Sequence, residues 1–182
     1  MRVIESILPE IKIIEPDVFG DERGYFLESW NADRYAQYGI DCRWVQDNES
    51  FSAYGVVRGL HYQSAPYTQA KLIRVISGKV LDIALDIRRS SPTFGQYAAV
   101  ELSGENKRQL FIPHGFAHGF AVLSASAVFA YKCDNFYMPS FERGIAFNDP
   151  DLQIDWQIPV EKMILSAKDL KHPLLKDAQL PE

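Results

Sequence analysis

The sequence predicts an all-β fold of antiparallel strands, and three features carry that reading: closely spaced β-rich segments, short turn-forming breaks between them, and few helix signals. The stretch AKLIRVISGKVLDIALDIRR (70–89) is dense in Val, Ile and Leu, and Ser77-Gly78 interrupts it as a hairpin or a bend between two strands would. QYAAVEL, RQLFIP, GFAVLS and AVFAYKC follow at short intervals, separated by SGEN, PHG and SAS. Such spacing favours a sandwich or barrel over alternating βα units. Helices are confined to short pieces. NADRYAQYG (31–39) has Asn at a cap position and Gly at its end, which predicts two turns of helix. SAKDL (166–170) can start another, with Ser166 as cap and Asp169 three residues on. The tail from Pro173 to Glu182 is expected on the surface. No repeat, low-complexity segment or linker interrupts the chain, so residues 1–182 are read as one domain.

Composition narrows the function classes. Apolar residues make up 47% and charged residues 24%, an ordinary globular balance that argues against disorder. A net charge of -5 offers no general attraction for nucleic acid or an anionic membrane, so neither is expected as a partner. No apolar run is long enough to span a bilayer, and MRVIESILPEIKI carries charges and a proline where a signal peptide needs an unbroken apolar centre. A cytoplasmic location is expected. Cys42 and Cys133 lack CxxC spacing and are read as free thiols.

The stretch IPHGFAHGF (112–120) places two histidines among apolar residues and glycines. His114, within PHG, is read as a turn residue. Pro113, Gly115 and His118 form P-x-G-x-x-H, which resembles the second metal-binding motif of the double-stranded β-helix proteins called cupins. The first cupin motif is only partly matched. His61 occupies its first ligand position, but Gln63 stands two residues later, and Lys71, separated from Gly78 by six residues, stands where a ligand Glu is expected. An ammonium has three donors and no lone pair, so it repels a cation. The inference is a site with no metal, in which the same fold geometry gathers His61, His118 and Lys71.

Histidine suits proton uptake near neutral pH, and a neighbouring carboxylate orients it. Lys71 can stabilise negative charge developing on an oxygen, and Tyr131, near the end of AVFAYKC, offers a phenolic proton. Base, oxyanion donor and acid together describe proton abstraction beside a carbonyl and return of a proton, with inversion if base and acid stand on opposite faces of the substrate. Arg23 and Arg58 suit phosphate oxygens. In a regular strand His61 and Gln63 share a face that Arg58 does not, so a bulge at Gly59 is expected to re-aim Arg58. Each assignment has a plainer rival: strand packing for His61 and Tyr131, and a capping box for Asp169.

Taken in order, FGDERGYFLESW, QDNESFS, VRGLHYQ, KLIRVISGKVLDIALDIRRSSPTFG, ENKRQLFIPHGFAHGF, YKCDNFY and LSAKD resemble the dTDP-4-dehydrorhamnose 3,5-epimerase family over about Val3 to Leu175. The resemblance implies a metal-free cupin jelly roll, working as a homodimer on dTDP-4-dehydro-6-deoxy-glucose and needing no cofactor. It implies His61 as base, Asp169 as its carboxylate partner, Tyr131 as acid and Lys71 at the enolate oxygen. Expected substrate contacts are Arg23, Glu28, Gln46, Asn48, Arg58, His118, Glu142 and Lys168, with Tyr137 stacking on thymine and Phe26 contributed across a dimer. Phe136 stands where family members often have a tyrosine. The same residues leave open an epimerase acting at one carbon, a noncatalytic sugar-nucleotide binding protein and a metal-dependent cupin.

Overall fold

The computed structural model describes residues 1–181. Two antiparallel sheets face one another. The larger runs in the order β1 (Arg2–Glu5), β2 (Lys12–Glu15), β10 (Gln109–Ile112), β7 (Lys71–Ser77), β12 (Ser126–Cys133) and β5 (Gln46–Ala53). The smaller runs β13 (Glu142–Gly144), β6 (Val57–Gln63), β11 (Phe116–Val122), β8 (Lys79–Asp86) and β9 (Tyr97–Ser103). A separate hairpin pairs β3 (Val18–Asp21) with β4 (Gly24–Leu27). The expected all-β cupin-type architecture is present, with one short α-helix, α1 (Ala32–Ala36), and four 3-10 turns among the described residues.

The long apolar run at 70–89 divides at Gly78 into a bend, since β7 and β8 enter different sheets. Gly78 has φ +78°, and a Cβ there would lie 2.0 Å from the Ser126 carbonyl oxygen, so only glycine fits the turn. α1 begins where Asn31 accepts a hydrogen bond from the Arg34 amide at 3.1 Å, and the chain leaves it through Gly39 at φ +74°. The helix is shorter than the sequence span suggested. SAKDL forms no α-helix, only a 3-10 turn at Asp169–Lys171.

Side chains alternate between faces with a period of two. One face of each sheet contributes to a shared interior, where Ile73, Val75, Leu110 and Phe129 meet Val80, Ala84, Val100, Phe116 and Phe120. The opposite face of the smaller sheet is also covered: Val57, Leu60, Leu81, Ile83 and Leu85 pack under Ile145, Trp156, Ile158, Leu175 and Ala178. Burial on both faces explains why β8 is apolar at almost every position. It also corrects the expectation for the tail. Leu175 and Ala178 are buried, the Leu175 amide donates to Asp149 Oδ2 at 2.7 Å, and Tyr62 donates its hydroxyl proton to the Gln179 carbonyl at 2.9 Å. Apolar residues spaced between the prolines let the tail cap the sheet. Glu182 lies outside the described residues.

Asp86 ends β8 fully buried, accepting hydrogen bonds from the Arg88 side chain, Ser91 and Thr93. Burial alone would raise its carboxyl, but these bonds outweigh burial and hold it at about 2. A carboxylate depressed in the folded state stabilises the fold above the unfolded carboxyl range and loses that contribution as pH falls through the folded value. Asp86→Asn is therefore expected to lower unfolding free energy by about 2 kcal/mol near pH 7, the difference from the parent shrinking between about pH 4 and pH 2, as measured by urea denaturation.

Candidate active site

The two-residue period carries the polar groups inward at one end of the sandwich. On β12 the interior face holds Phe129 and Tyr131, and cross-strand pairing sets Asn48 beside Tyr131 and Gln46 beside Cys133. On β6 it holds His61 and Gln63, which pair with Gly144 and Glu142 of β13. β6 carries an extra residue here: His61 and Arg58 stand opposite His118 and Phe120, three positions apart on one strand and two on the other. Gly59 sits within that bulge at φ +118°, and a Cβ on it would lie 2.5 Å from Gly119 Cα. The expected bulge is real, and it turns Arg58 to the same side as His61. The Arg58 guanidinium donates to Ser52 Oγ at 3.1 and 3.2 Å and lowers the Tyr131 phenol by its charge.

A cavity of about 300 Å³ is lined by Gln46, Asn48, His61, Gln63, Gln69, Lys71, Tyr131, Cys133, Tyr137 and Glu142. A second cavity of similar volume shares Asn48 and Tyr131 with it. His61 comes from the smaller sheet and Tyr131 from the larger. His61 Nε2 lies 2.5 Å from Asp169 Oδ1. Ser166 Oγ accepts the Asp169 amide proton at 3.1 Å and donates to Asp169 Oδ2 at 2.8 Å. One carboxylate thus meets both the capping Ser166 and His61. Burial raises that carboxyl, but the bond and charge of His61 and the Ser166 hydroxyl bring it to about 2. An ionised carboxylate only accepts, so the proton between them sits on His61 Nε2 and leaves Nδ1 with a free lone pair. Burial, then the Cys133 thiol, raises the Tyr131 phenol, which therefore keeps its proton at neutral pH.

Behind this pair, Lys71 of β7 has its ammonium 6.0 Å from the Tyr131 ring centroid. Burial pushes it below the ordinary lysine value, while Cys133, Asp82 and Glu142 push back. Asp82 of β8 is fully buried, and His118 Nε2 lies 3.0 Å from its Oδ2. Burial raises the Asp82 carboxyl against the pull of His118 and Lys71. Burial also lowers the His118 imidazole. The cupin metal positions do not fit an ion. Gln63 donates to the Tyr67 and Phe136 carbonyls at 2.6 and 3.1 Å and accepts the Met138 amide at 2.6 Å, so its amide is committed. His118 is committed to Asp82, and Lys71 has no lone pair. Elsewhere His61, Asp169 and His172 bring donor atoms within 4.8 Å of one another. The 2.5 Å between His61 and Asp169 is hydrogen-bond spacing, closer than the roughly 3.3 Å that two tetrahedral ligands of one zinc ion keep.

Around the rim, Gln46 donates to Asn48 Oδ1 at 3.0 Å and accepts the Tyr137 amide at 2.9 Å. The Tyr137 hydroxyl donates to Glu142 Oε2 at 2.5 Å, and Lys168 meets Glu142 Oε1 at 2.5 Å. The expected contacts Gln46, Asn48, Tyr137 and Glu142 therefore line one cavity, with Lys168 joined to it through Glu142. Arg58 and His118 are not among its lining residues, the first held by Ser52 and the second by Asp82, and three others lie away from it. Arg23 and Phe26 stand exposed on the β3–β4 hairpin, Arg23 paired with Asp21, and Glu28 holds Arg34 and Asn31 beside α1. His114 is exposed and pairs with Asp134 at 2.6 Å, more than a bare turn residue does. Sequence reasoning missed Asp82 and His172. The first had a signal, an aspartate inside the apolar run VLDIALDI, and the second had none.

Comparison with known proteins agrees with this geometry. The sequence profile of dTDP-4-dehydrorhamnose 3,5-epimerase matches residues 5–177. A dTDP-4-dehydrorhamnose 3,5-epimerase of Shigella flexneri is 52% identical over 179 residues, 98% of each chain. The crystal structure of a dTDP-6-deoxy-D-glucose-3,5-epimerase from Legionella pneumophila, in complex with dTDP-4-keto-L-rhamnose, is 54% identical. It superposes with a TM-score of 0.96, covering 100% of this chain and 97% of that one. A 3'-monoepimerase of Streptomyces bikiniensis in complex with dTDP-quinovose is 31% identical with a TM-score of 0.90, covering 100% of this chain and 92% of that one. With the matched profile spanning nearly its whole length and relatives about half identical over almost all of both chains, the chain belongs to the dTDP-4-dehydrorhamnose 3,5-epimerase family.

Proposed function

We propose that the protein inverts C3 and C5 of dTDP-4-dehydro-6-deoxy-D-glucose to give dTDP-4-dehydro-L-rhamnose, as a single domain working in a cytoplasmic homodimer with neither metal nor organic cofactor. One observation carries the reading: His61, held by Asp169, and Tyr131 face one cavity from opposite sheets, with Lys71 lining it. The 4-keto group acidifies the hydrogens on both neighbouring carbons. His61 Nδ1 takes one of them, and the electron pair moves onto the keto oxygen as an enolate. The Lys71 ammonium stabilises that oxygen. Tyr131 then gives its proton to the same carbon from the other face, and the carbon inverts. His61 loses its added proton and Tyr131 regains one through water at the cavity mouth, so the site resets for the second carbon.

The rim residues serve the rest of the substrate in this reading. Gln46, Asn48 and His118 line the sugar path, Glu142 and Lys168 lead toward the diphosphate, Arg58 offers a forked donor, and Tyr137 stacks on the thymine. Arg23, Phe26 and Glu28 would act from a second subunit or near its contact. The β3–β4 hairpin supports such an arm, since Phe19, Tyr25 and Phe26 on it are 64%, 58% and 68% exposed. A single-carbon epimerase is the second reading, favoured by the likeness to the 3'-monoepimerase. A noncatalytic binding protein would have no use for His61, Tyr131 and Asp169 in this arrangement.

Incubating EDTA-treated protein with the 4-keto sugar nucleotide in deuterated water is expected to place deuterium at C3 and C5, read by NMR. Label at one carbon would establish the single-carbon reaction, and label at neither would overturn the proposal. Tyr131→Phe is expected to keep exchange at the carbon His61 deprotonates while inverted product falls on the order of 100-fold. Inversion at the parent rate would remove Tyr131 from its role.

A further inference from the structure

Beside the catalytic pair lies a second imidazole that the mechanism above does not use. Gly144 stands opposite His61 in the β13–β6 register, and a Cβ on it would lie 2.4 to 2.5 Å from Nε2, Cδ2 and Cε1 of His172. The missing side chain is thus the slot that holds the His172 ring. Among the described residues its Nε2 is buried with no hydrogen-bond partner, yet it lies 3.5 Å from Asp169 Oδ1, the oxygen that His61 approaches to 2.5 Å. The two rings meet edge to face, their centroids 5.5 Å apart at 78°. Asp169 Oδ2 is already occupied by Ser166, so the carboxylate is gripped at one oxygen and shared at the other.

We propose that His172 is a positioning residue which, as a neutral imidazole, directs its Nε2–H at Asp169 Oδ1 and so limits how strongly the carboxylate holds a protonated His61. The inference rests on His61 being the base. Burial first, then the charges of His61 and Lys168, lower the His172 imidazole, with Asp169 opposing them, so the ring is neutral when the enzyme works. The titratable groups facing the pair are Asp169 and Lys168 on the 3-10 turn, Glu142 on β13 and His118 on β11. Two imidazoles sharing one carboxylate oxygen compete for it. While His172 donates there, the imidazolium of His61 is held less tightly and releases its proton to water more readily, as turnover requires.

The test compares pH profiles of kcat/KM for the parent, His172→Phe and His172→Gln. Phenylalanine fills the slot without a donor, and the acid limb is expected to move to higher pH by about half a unit, a loss of about 3-fold at a pH on that limb. The plateau KM should stay within about 2-fold. Glutamine restores a neutral N–H and should return the limb to the parental position. A limb that stays in place in His172→Phe, or that shifts equally in both variants, overturns the inference, as does lost activity that follows only a lowered unfolding midpoint. Deuterium exchange by the parent separates the two levels: exchange with an unmoved limb sinks only the role of His172, whereas no exchange sinks the epimerase reading beneath it.

Discussion

Lys71, Asp82 and His118 place three ionisable groups in the interior between two sheets, where each would be costly alone. Taking an ammonium or a carboxylate out of water costs several kcal/mol unless charge and hydrogen bonds compensate. Here the compensation is mutual. Lys71 descends from the larger sheet, and Asp82 and His118 rise from the smaller, so the electrostatic group bridges the two sheets at the depth where related folds hold a cation. Among the described residues Asp82 Oδ1 is buried without a hydrogen-bond partner, and His118 first, then the charge of Lys71, oppose the rise that burial imposes on this carboxyl. In the proposed mechanism an enolate oxygen entering the cavity meets the Lys71 ammonium, a group that belongs to the fold itself.

The rest of the site follows from which sheet carries which group. The proposed epimerisation needs a base and an acid on opposite faces of one ring, and His61 and Tyr131 line one cavity from two facing sheets. His61 and Tyr131 are held by different means, the first by the carboxylate on the 3-10 turn and the second by packing beside Phe129 at a ring distance of 5.9 Å. The bulge at Gly59 lets Arg58 share the interior side with His61 while Val57 and Leu60 stay in the outer core. Gln63, at a position corresponding to a cupin ligand, anchors the loop bearing Tyr137 and so shapes the rim.

Much of this was legible in residue types and spacing. The alternation of β-rich segments gave the all-β class, the P-x-G-x-x-H motif located His118, and the spacing from Gly78 located Lys71, which lines the cavity. The Gly59 bulge was readable because His61 and Arg58 could not otherwise point to one side of β6. What escaped depended on tertiary packing. Asp82 looks like a surface residue of an alternating strand until both faces of β8 prove buried. His172 lies far from His61 in sequence and meets it only because Gly144 leaves room. The tail was misread because its prolines and charges hide Leu175 and Ala178, whose burial follows from an outer sheet face that needed cover. The arm bearing Arg23 and Phe26 stands exposed on the β3–β4 hairpin, a placement that residue types alone do not reveal.

The central claim is that the Lys71 ammonium does the electrostatic work of a cation. Single-turnover rates of Lys71→Met with the 4-keto sugar nucleotide test it most directly, because methionine keeps the stem and removes the charge. The rate of the chemical step is expected to fall by about 100- to 1,000-fold, with substrate affinity changed by less than about 5-fold. A chemical step within about 3-fold of the parent would show that the enolate is stabilised by something else.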